Sequence, residues 1–313
     1  MASSYEKINY VIRPAKNVER KILCESFRKL TPFAPLEEYR YIGFGSTYFS
    51  DFSLLHKALG ISEMVSIEKD EDNEDRFKFN RPYRCIKLEF GESNDVLPRL
   101  SWAEKTILWL DYDGTLDKNV LADIKFAVGN IASGSIVVAS VNAMPPGNDK
   151  TRVEALVDLV GEEKVPKDIS PAQLSRRLTP VTLQRIINNE FLQSLSERNG
   201  GKRPGERTGY QQLFNFVYAD GAQMLTVGGL LFSEDQREQV AACRFEEAPF
   251  VRSGEEHYKI EVPNLTYREL RHIDRQLPTH APENIETDGI PPDDILKYSC
   301  LYKYFPMFAE TEI

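Results

Sequence analysis

Residues 39–140 alternate short apolar runs with longer amphipathic stretches, and no other feature of the sequence constrains the fold as strongly. The apolar runs have the length of strands, and the stretches between them have the apolar spacing of helices. Such alternation is typical of a parallel sheet covered by helices on both faces. The predicted strands are 39–42, 64–67, 85–88, 106–110 and 135–140, and the predicted helices are 50–59, 71–79, 94–100 and 118–131.

The pattern changes after Pro145. A mainly helical insertion is followed by two apolar runs, 213–218 and 224–232, which flank Asp220-Gly221. This dipeptide is typical of a β-hairpin, so we expect an antiparallel pair to join the sheet. The aromatic stretch 302–308 is expected to dock on the body. We therefore divide the chain into an N-terminal helical segment (1–38), a sheet core (39–145), a helical insertion (146–209), a closing hairpin (210–235) and a C-terminal extension (236–313).

An amphipathic helix is predicted before the first strand, within residues 9–30. Its apolar residues recur at helical spacing after Pro14, a residue that suits the start of a helix. The polar face carries Arg13, Lys16 and Arg20, and we expect this face to be solvated. The alternative is that these three cations lie over the mouth of a site.

Composition restricts the class of partner and the compartment. The 313 residues include 39 Lys and Arg against 48 Asp and Glu, a formal net charge of −9, so nucleic acid is not favoured as the main partner. No run has the ~18 apolar residues of a membrane span or the character of a secretory signal, which predicts a cytoplasmic protein. The four cysteines are scattered without a Cys-x-x-Cys pair, so neither a zinc site nor a disulfide framework is expected. The oligomeric state stays open.

Polar and glycine residues end the first two predicted strands, at the sheet edge where open α/β folds bind ligands. The turn after the first strand contains Gly43, Gly45 and Ser46, and glycine lets a ligand approach the backbone closely. Glu68 closes the second strand, where a carboxylate can accept two hydrogen bonds from a ribose diol. Because Glu68 stands in an acidic stretch, a surface or helix-capping role is the alternative.

A polar turn also follows the third predicted strand. Gly91, Glu92 and Ser93 lead into a short amphipathic helix. The side chain of Glu92 or Ser93 can hydrogen-bond the edge of an adenine base, because both carry oxygen atoms suited to such contacts. This turn therefore lies where the edge of a bound nucleoside is expected.

Two carboxylates follow the most apolar predicted strand, in the order Asp111, Tyr112, Asp113. The two aspartates are two positions apart, so a continuing strand places them on one face. Burial side by side is expected to raise the pKa of one of them, which favours a general base or a cation site. The alternative is that they cap the next helix.

Taken in order, these features resemble the class I S-adenosylmethionine-dependent methyltransferases, and in particular a group of bacterial O-methyltransferases. The resemblance covers residues 39–143, with weaker support from the hairpin. It implies a Rossmann-like, mostly parallel sheet closed by an antiparallel hairpin, S-adenosyl-L-methionine as the cofactor, and an unidentified methyl acceptor, with O-methylation of a small molecule favoured. By position, the resemblance implies that Gly43, Gly45 and Ser46 lie at the amino-acid part of the cofactor and Glu68 at the ribose. It implies that Gly91, Glu92 and Ser93 lie at the adenine and Asp111 at the transfer site. Asp111 or Asp113 would then be the base, and Tyr112 would position the acceptor.

The chain departs from the family pattern before the glycine turn, in the turn itself, which lacks the usual third glycine, and at the adenine position, which carries glutamate instead of aspartate. Residues 39–42 read Tyr-Arg-Tyr-Ile, where these enzymes often have an acid before the glycine turn, so an anchor for the cofactor's ammonium group is missing or comes from elsewhere. After the fourth strand the chain reads Asp-Tyr-Asp-Gly instead of the Asp/Asn-Pro-Pro-Tyr/Phe typical of enzymes that methylate base amines. Methylation of a nucleobase amine is therefore not expected.

Three alternatives stay open. Asp111, Asp113 and Asn142 supply hard oxygen ligands, but a second-site aspartate is lacking, so a divalent cation is considered and not favoured, and no metal ligands are assigned. An NAD(P)-dependent oxidoreductase shares the Gly-x-Gly turn and the later acid, although Tyr48 occupies the place of the third glycine. A non-catalytic methyltransferase-like binding module would tolerate the weakened glycine turn.

Overall fold

The computed structural model describes residues 13–306, and eight strands of this part form one sheet in the order β3-β2-β1-β4-β5-β7-β6-β8. Strands β1 to β5 are parallel, β7 is antiparallel to both β5 and β6, and β8 is parallel to β6. This confirms the predicted Rossmann-like sheet closed by an antiparallel hairpin. The strands are β1 (Arg40–Gly43), β2 (Glu63–Glu68), β3 (Ile86–Phe90), β4 (Thr106–Thr115), β5 (Ser135–Asn142), β6 (Thr208–Asp220), β7 (Ala222–Ser233) and β8 (Tyr258–Ile260).

Ten α-helices flank or follow these strands in the described residues. Two predicted helices are shorter than expected, because 71–73 and 97–99 form 3₁₀ turns and Pro98 cannot donate a helical hydrogen bond. The helices are α1 (Pro14–Arg28), α2 (Ser50–Leu59), α3 (Glu74–Asn80), α4 (Ser93–Val96), α5 (Lys118–Asn130), α6 (Arg152–Val160), α7 (Thr179–Arg198), α8 (Arg237–Ala242), α9 (Tyr267–Asp274) and α10 (Pro292–Leu301).

Each face of the sheet carries its own apolar core. Along β4, Ile107 and Trp109 belong to the core beneath α1 and α2, whereas Leu108 and Leu110 belong to the core beneath α5, α6 and α7. All four side chains are buried, as expected for a central strand covered on both sides. The helices α1 and α5 thus approach the end of β4 from opposite faces.

The closing hairpin fixes the start of α1. The β6 and β7 strands meet at the predicted Asp220-Gly221 turn, and Gly221 has a φ of +102°. The Asp220 carboxylate accepts hydrogen bonds from the backbone N–H groups of Ala15 at 3.0 Å and Lys16 at 2.8 Å. A carboxylate at this position accepts hydrogen bonds from N–H groups that have no partner within the helix, and its charge interacts favourably with the positive end of the helix dipole. The hairpin tip thus holds the N-terminus of α1 against the sheet.

A small third core joins the C-terminal helices α9 and α10. Tyr304 packs against the core beneath α1, and the Lys21 ammonium donates to the Phe305 carbonyl at 3.2 Å. The predicted docking of the aromatic stretch therefore holds for these residues, whereas Met307 and Phe308 lie outside the described part. No helix between residues 13 and 306 is both long and apolar enough to cross a bilayer. The division of the chain into five segments stays a prediction.

Candidate active site

A cavity of about 660 Å³ opens at the carboxyl ends of β1, β2, β3 and β4. The parallel register brings these ends together, because Gly43 lies beside both Ser66 and Trp109 and Glu68 lies beside Phe90. The wall is completed by the starts of α2 and α5, by Arg20 of α1 and by Phe77 of α3. Its volume lies in the range of roughly 300–1,000 Å³ that is typical of small-molecule sites.

All but one of the residues predicted for the site line this cavity. Gly43 does not, and a Cβ added there would lie 2.5 Å from the Tyr41 hydroxyl and 3.3 Å from the Trp109 carbonyl. The glycine therefore makes room for the protein's own Tyr41 hydroxyl. The lining residues among those predicted are Gly45, Ser46, Glu68, Gly91, Glu92, Ser93, Asp111, Tyr112 and Asp113.

Glu68 is buried at the end of β2, where Ser66 and Gly45 contact it. Its Oε1 accepts hydrogen bonds from the Ser66 hydroxyl at 2.6 Å and from the Gly45 N–H at 3.1 Å. Burial raises the pKa of Glu68 to about 7 despite these hydrogen bonds. A Cβ on Gly45 would lie 2.5 Å from the Phe49 ring, so this glycine is needed for packing as well as for access to the cavity.

On the α5 side, a buried carboxylate gathers three donors from the cavity wall. Asp123 accepts hydrogen bonds from the Tyr112 hydroxyl at 2.5 Å and from the side chains of Ser93 and Asn94. Burial raises the pKa of Asp123 while these bonds lower it. Asp123 thus ties the turn after β3 to the end of β4, and the sequence analysis missed it because it lies inside an ordinary amphipathic helix.

Tyr112 belongs to this side of the cavity. Its ring packs edge-on against Phe44 with centroids 5.1 Å apart, and its hydroxyl points to Asp123 on α5. Burial raises the pKa of Tyr112 well above its ordinary value. The expected role of Tyr112 in positioning an acceptor stays a prediction.

At the opposite face of β4, Asp111 pairs with a buried cation from α1. The Lys16 ammonium lies 2.6 Å from Asp111 Oδ1, 2.7 Å from Glu19 Oε2 and 3.2 Å from the Tyr218 hydroxyl. It also lies 4.5 Å from the centre of the Trp109 ring, within reach of a cation–π contact. The Lys16 side chain is 1% exposed and that of Asp111 is 22% exposed, so the cation is sealed while the carboxylate reaches the cavity.

The expectation that the charged face of α1 is solvated is therefore wrong. Lys16, Glu19 and Arg20 are all buried. Glu19 extends the network, because the Thr226 hydroxyl of β7 donates to it and lies 2.7 Å from the Ser140 hydroxyl of β5. Burial becomes favourable because these polar partners replace water, and except for the Lys16–Glu19 pair the partners lie more than 90 residues away in sequence. Only the alternative placement of the three cations at a site mouth pointed towards this arrangement, and Arg20 lines the cavity.

The expected shared burial of Asp111 and Asp113 is also wrong. Asp113 is exposed, and the pairing of β4 with β5 becomes irregular between Asp111 and Thr115. The two carboxylates therefore have different surroundings, one held by Lys16 and the other open to solvent.

The oxygen ligands considered for a cation do not converge. Asn142 is outside the cavity lining, and its side-chain oxygen accepts a hydrogen bond from the Met144 N–H at 2.9 Å. Across residues 13–306, no group of three or more histidine, cysteine or acidic side chains is arranged to hold a metal ion.

Comparison with known families assigns the chain. Residues 8–313 match the family described as "Putative O-methyltransferase". The chain belongs to this O-methyltransferase family. It is therefore a class I S-adenosylmethionine-dependent methyltransferase, which decides against the dinucleotide-dependent oxidoreductase. No curated protein sequence matches the chain significantly.

Comparison with solved structures finds matches of low identity. A Bacillus cereus O-methyltransferase with S-adenosylhomocysteine (SAH) is 14% identical over 72% of this chain and 86% of its own, with a TM-score of 0.39. Trm1 from Pyrococcus horikoshii with S-adenosyl-L-methionine is 8% identical over 77% and 61%, with a TM-score of 0.45. TomG from Streptomyces achromogenes, an O-methyltransferase of tomaymycin synthesis, is 13% identical over 67% and 78%, with a TM-score of 0.37.

The cavity of this methyltransferase fits the chemistry of its cofactor. S-adenosylmethionine carries a ribose diol, an adenine, a cationic sulfur and an amino-acid end. A buried carboxylate, a polar turn after β3 and the partly exposed Asp111 lie around a single cavity. The donor set and the volume therefore agree with the family assignment.

Proposed function

We propose that this methyltransferase O-methylates a small-molecule acceptor beside Asp111. The observation that carries the proposal is the environment of Asp111, a carboxylate that reaches the cavity while the sealed Lys16 ammonium fixes one of its oxygens at 2.6 Å. A fixed carboxylate can accept a hydrogen bond from an acceptor hydroxyl and hold its proton. Bound S-adenosylmethionine supplies the electrophilic methyl group.

The remaining lining residues serve to hold the cofactor. The backbone at Gly45 and Ser46 would lie against its amino-acid part, and the side-chain oxygens of Glu68 would accept hydrogen bonds from the ribose hydroxyls. The turn at Gly91, Glu92 and Ser93 contacts the adenine, and the Asp123 hydrogen bonds support this by fixing Ser93 and Asn94. Gly43 acts indirectly, by leaving room for Tyr41.

A small acceptor is supported by the charge of the cavity mouth. Asp70, Glu92, Asp113 and Asp117 line it against Lys69, which is itself paired with Glu92 at 2.7 Å. This excess of negative charge repels a polyanion and favours a neutral or cationic small molecule. We further propose that the enzyme acts in the cytoplasm, which the four free cysteines support.

The test compares Asp111→Asn with Asp113→Asn and, as a control for net charge, Asp72→Asn on the exposed surface. Binding of SAH is measured by calorimetry, and transfer of labelled methyl to a panel of phenols, catechols and hydroxy acids is measured by scintillation counting. We expect Asp111→Asn to bind SAH within a few-fold of wild type and to lose transfer by about 10²-fold or more. Asp113→Asn should lose less.

Three results would overturn parts of this proposal. Undiminished transfer by Asp111→Asn removes Asp111 from catalysis, and a larger loss in Asp113→Asn assigns the base to Asp113. Binding of SAH without labelling of any small molecule, in the panel or in cell extract, rejects the small-molecule acceptor.

A further inference from the structure

The first strand presents an uncharged residue where the family often has an acid. Tyr41 is fully buried, and its hydroxyl donates a hydrogen bond to Asp51 Oδ2. Its ring packs edge-on against Phe52 with centroids 4.8 Å apart, which fixes the direction of the hydroxyl. Tyr41 therefore brings no charge to the end of β1 but orients a carboxylate that comes from the first turn of α2.

Asp51 lines the cavity although it is only 7% exposed. Burial raises its pKa, the nearby charge of Arg20 lowers it, and Asp111 raises it again. Asp51 in turn raises the pKa of Glu68. In the sheet, β1 lies between β2, which ends at Glu68, and β4, which carries Asp111, and Asp51 follows β1 at the start of α2. Asp51 therefore comes from between the carboxylate proposed for the ribose and the carboxylate proposed for methyl transfer, where we place the amino-acid end of the cofactor.

Arg20 supplies the opposite charge at the same place. It reaches the cavity from α1 and is also only 7% exposed. One anionic and one cationic side chain, both largely withdrawn from water, match the ammonium and carboxylate of an amino acid. The backbone of the glycine turn offers N–H donors but no negative charge for an ammonium group.

We propose that Asp51 binds the α-ammonium group of the cofactor, that Arg20 faces its α-carboxylate, and that Tyr41 is the residue that positions Asp51. This assignment rests on the proposed function, since it places the amino-acid end beside Gly45. It replaces the missing acid of the first strand by a carboxylate in the first turn of α2.

The experiment compares two ligands that share adenosine and differ in the amino-acid end. SAH carries that end, whereas 5′-methylthioadenosine lacks it. Dissociation constants of both are measured by calorimetry for wild type, Asp51→Asn, Arg20→Met and Tyr41→Phe, with Asp72→Asn as the charge-matched control. Binding of 5′-methylthioadenosine also reports whether each variant retains a folded adenosine site.

We expect Asp51→Asn and Arg20→Met to raise the dissociation constant of SAH by about tenfold or more, the usual loss for a charge-assisted hydrogen bond. The dissociation constant of 5′-methylthioadenosine should stay within about twofold of the wild-type value. Tyr41→Phe leaves the Asp51 carboxylate in place but removes the hydrogen bond that orients it. The affinity for SAH should therefore fall by a smaller factor, again without an effect on binding of 5′-methylthioadenosine. Asp72→Asn should change the dissociation constant of neither ligand.

Equal losses for both ligands in Asp51→Asn, or no loss for either, would overturn the assignment. If Asp51→Asn does not fold, Tyr41→Phe decides by the same ratio of the two constants. Failure of the wild type to bind either ligand rejects the proposed function itself. Binding of both ligands by wild type with equal affinity rejects only the amino-acid site.

Discussion

The two ends of the cavity hold buried carboxylates in different ways. On the α5 side, Asp123 is surrounded by neutral donors from residues that lie within 30 positions of it in sequence. On the α1 side, Asp111 and Glu19 share one buried ammonium, that of Lys16. Neutral donors can be lost singly, whereas loss of the one cation leaves two carboxylates without their counter-charge. A single substitution is therefore expected to destabilise the protein more on the α1 side than on the α5 side.

The largest effect is expected from Lys16→Met, which keeps the apolar stem and removes the charge. Breaking a buried ion pair by removing one partner costs about 3–5 kcal/mol of unfolding free energy. Urea denaturation followed by circular dichroism measures this loss. Adding Glu19→Gln should restore part of it, because one of the two carboxylates is then neutral.

The control for this variant is Lys125→Met. Lys125 forms an exposed pair with Glu197 at 2.8 Å, and exposed pairs contribute little. No resolvable change is expected. Equal losses in Lys16→Met and Lys125→Met would contradict the contrast between sealed and open ion pairs.

A smaller loss, about 3 kcal/mol, is expected from Asp123→Ala, because several donors lose one buried acceptor. SAH should bind more weakly, since Ser93 and Asn94 are no longer fixed. Asp123→Asn, which retains a carbonyl acceptor, should recover part of both properties. A destabilisation greater than that of Lys16→Met would reverse the ranking of the two ends.

The smallest expected effect is a gain in unfolding free energy, produced by a substitution at Glu68, and this gain depends on pH. Burial raises the pKa of Glu68 from about 4.5 to about 7, so in this window the folded protein holds a proton that the unfolded chain has released. Glu68 therefore favours folding less as the pH rises towards 7, and above it the buried charge is destabilising.

Glu68→Gln removes this dependence. We expect the variant to match wild type near pH 5 and to exceed its unfolding free energy at pH 8 by an amount of the order of 2 kcal/mol, while binding of SAH falls. Denaturation at both pH values measures the change. A constant difference between variant and wild type across this range would show that Glu68 does not titrate as described.

The same contrast explains what the sequence could predict. The turns after β1, β2 and β3 and the end of β4 each follow an apolar strand directly, so their meeting at one sheet edge followed from the parallel topology. Asp111 was found in this way. The α5 side is built from residues 91–123, a stretch in which the local apolar spacing predicted β4 and α5. Asp123 itself was not singled out.

The α1 side could not be read in the same way. Nothing near Lys16 in sequence distinguishes it from a solvated lysine, because its partners Asp111 and Tyr218 lie far along the chain. Asp51 was missed for a related reason, since only the orientation of Tyr41 connects it with the glycine turn. The expected shared burial of Asp111 and Asp113 failed because Asp113 is exposed where the pairing of β4 with β5 becomes irregular.

The capping of α1 by Asp220 has a consequence for synthesis on the ribosome. The strands β1 to β4, whose ends line the cavity, emerge before the hairpin and can pair as they emerge. Helix α1 leaves the exit tunnel before them, yet the Asp220 carboxylate that caps it and the Tyr218 and Thr226 hydroxyls that contact its buried charges are present only after the hairpin has been translated. Helix α1 is therefore among the last of the described elements to reach its final contacts, and a chaperone that shields it during translation would protect a segment whose permanent contacts do not yet exist.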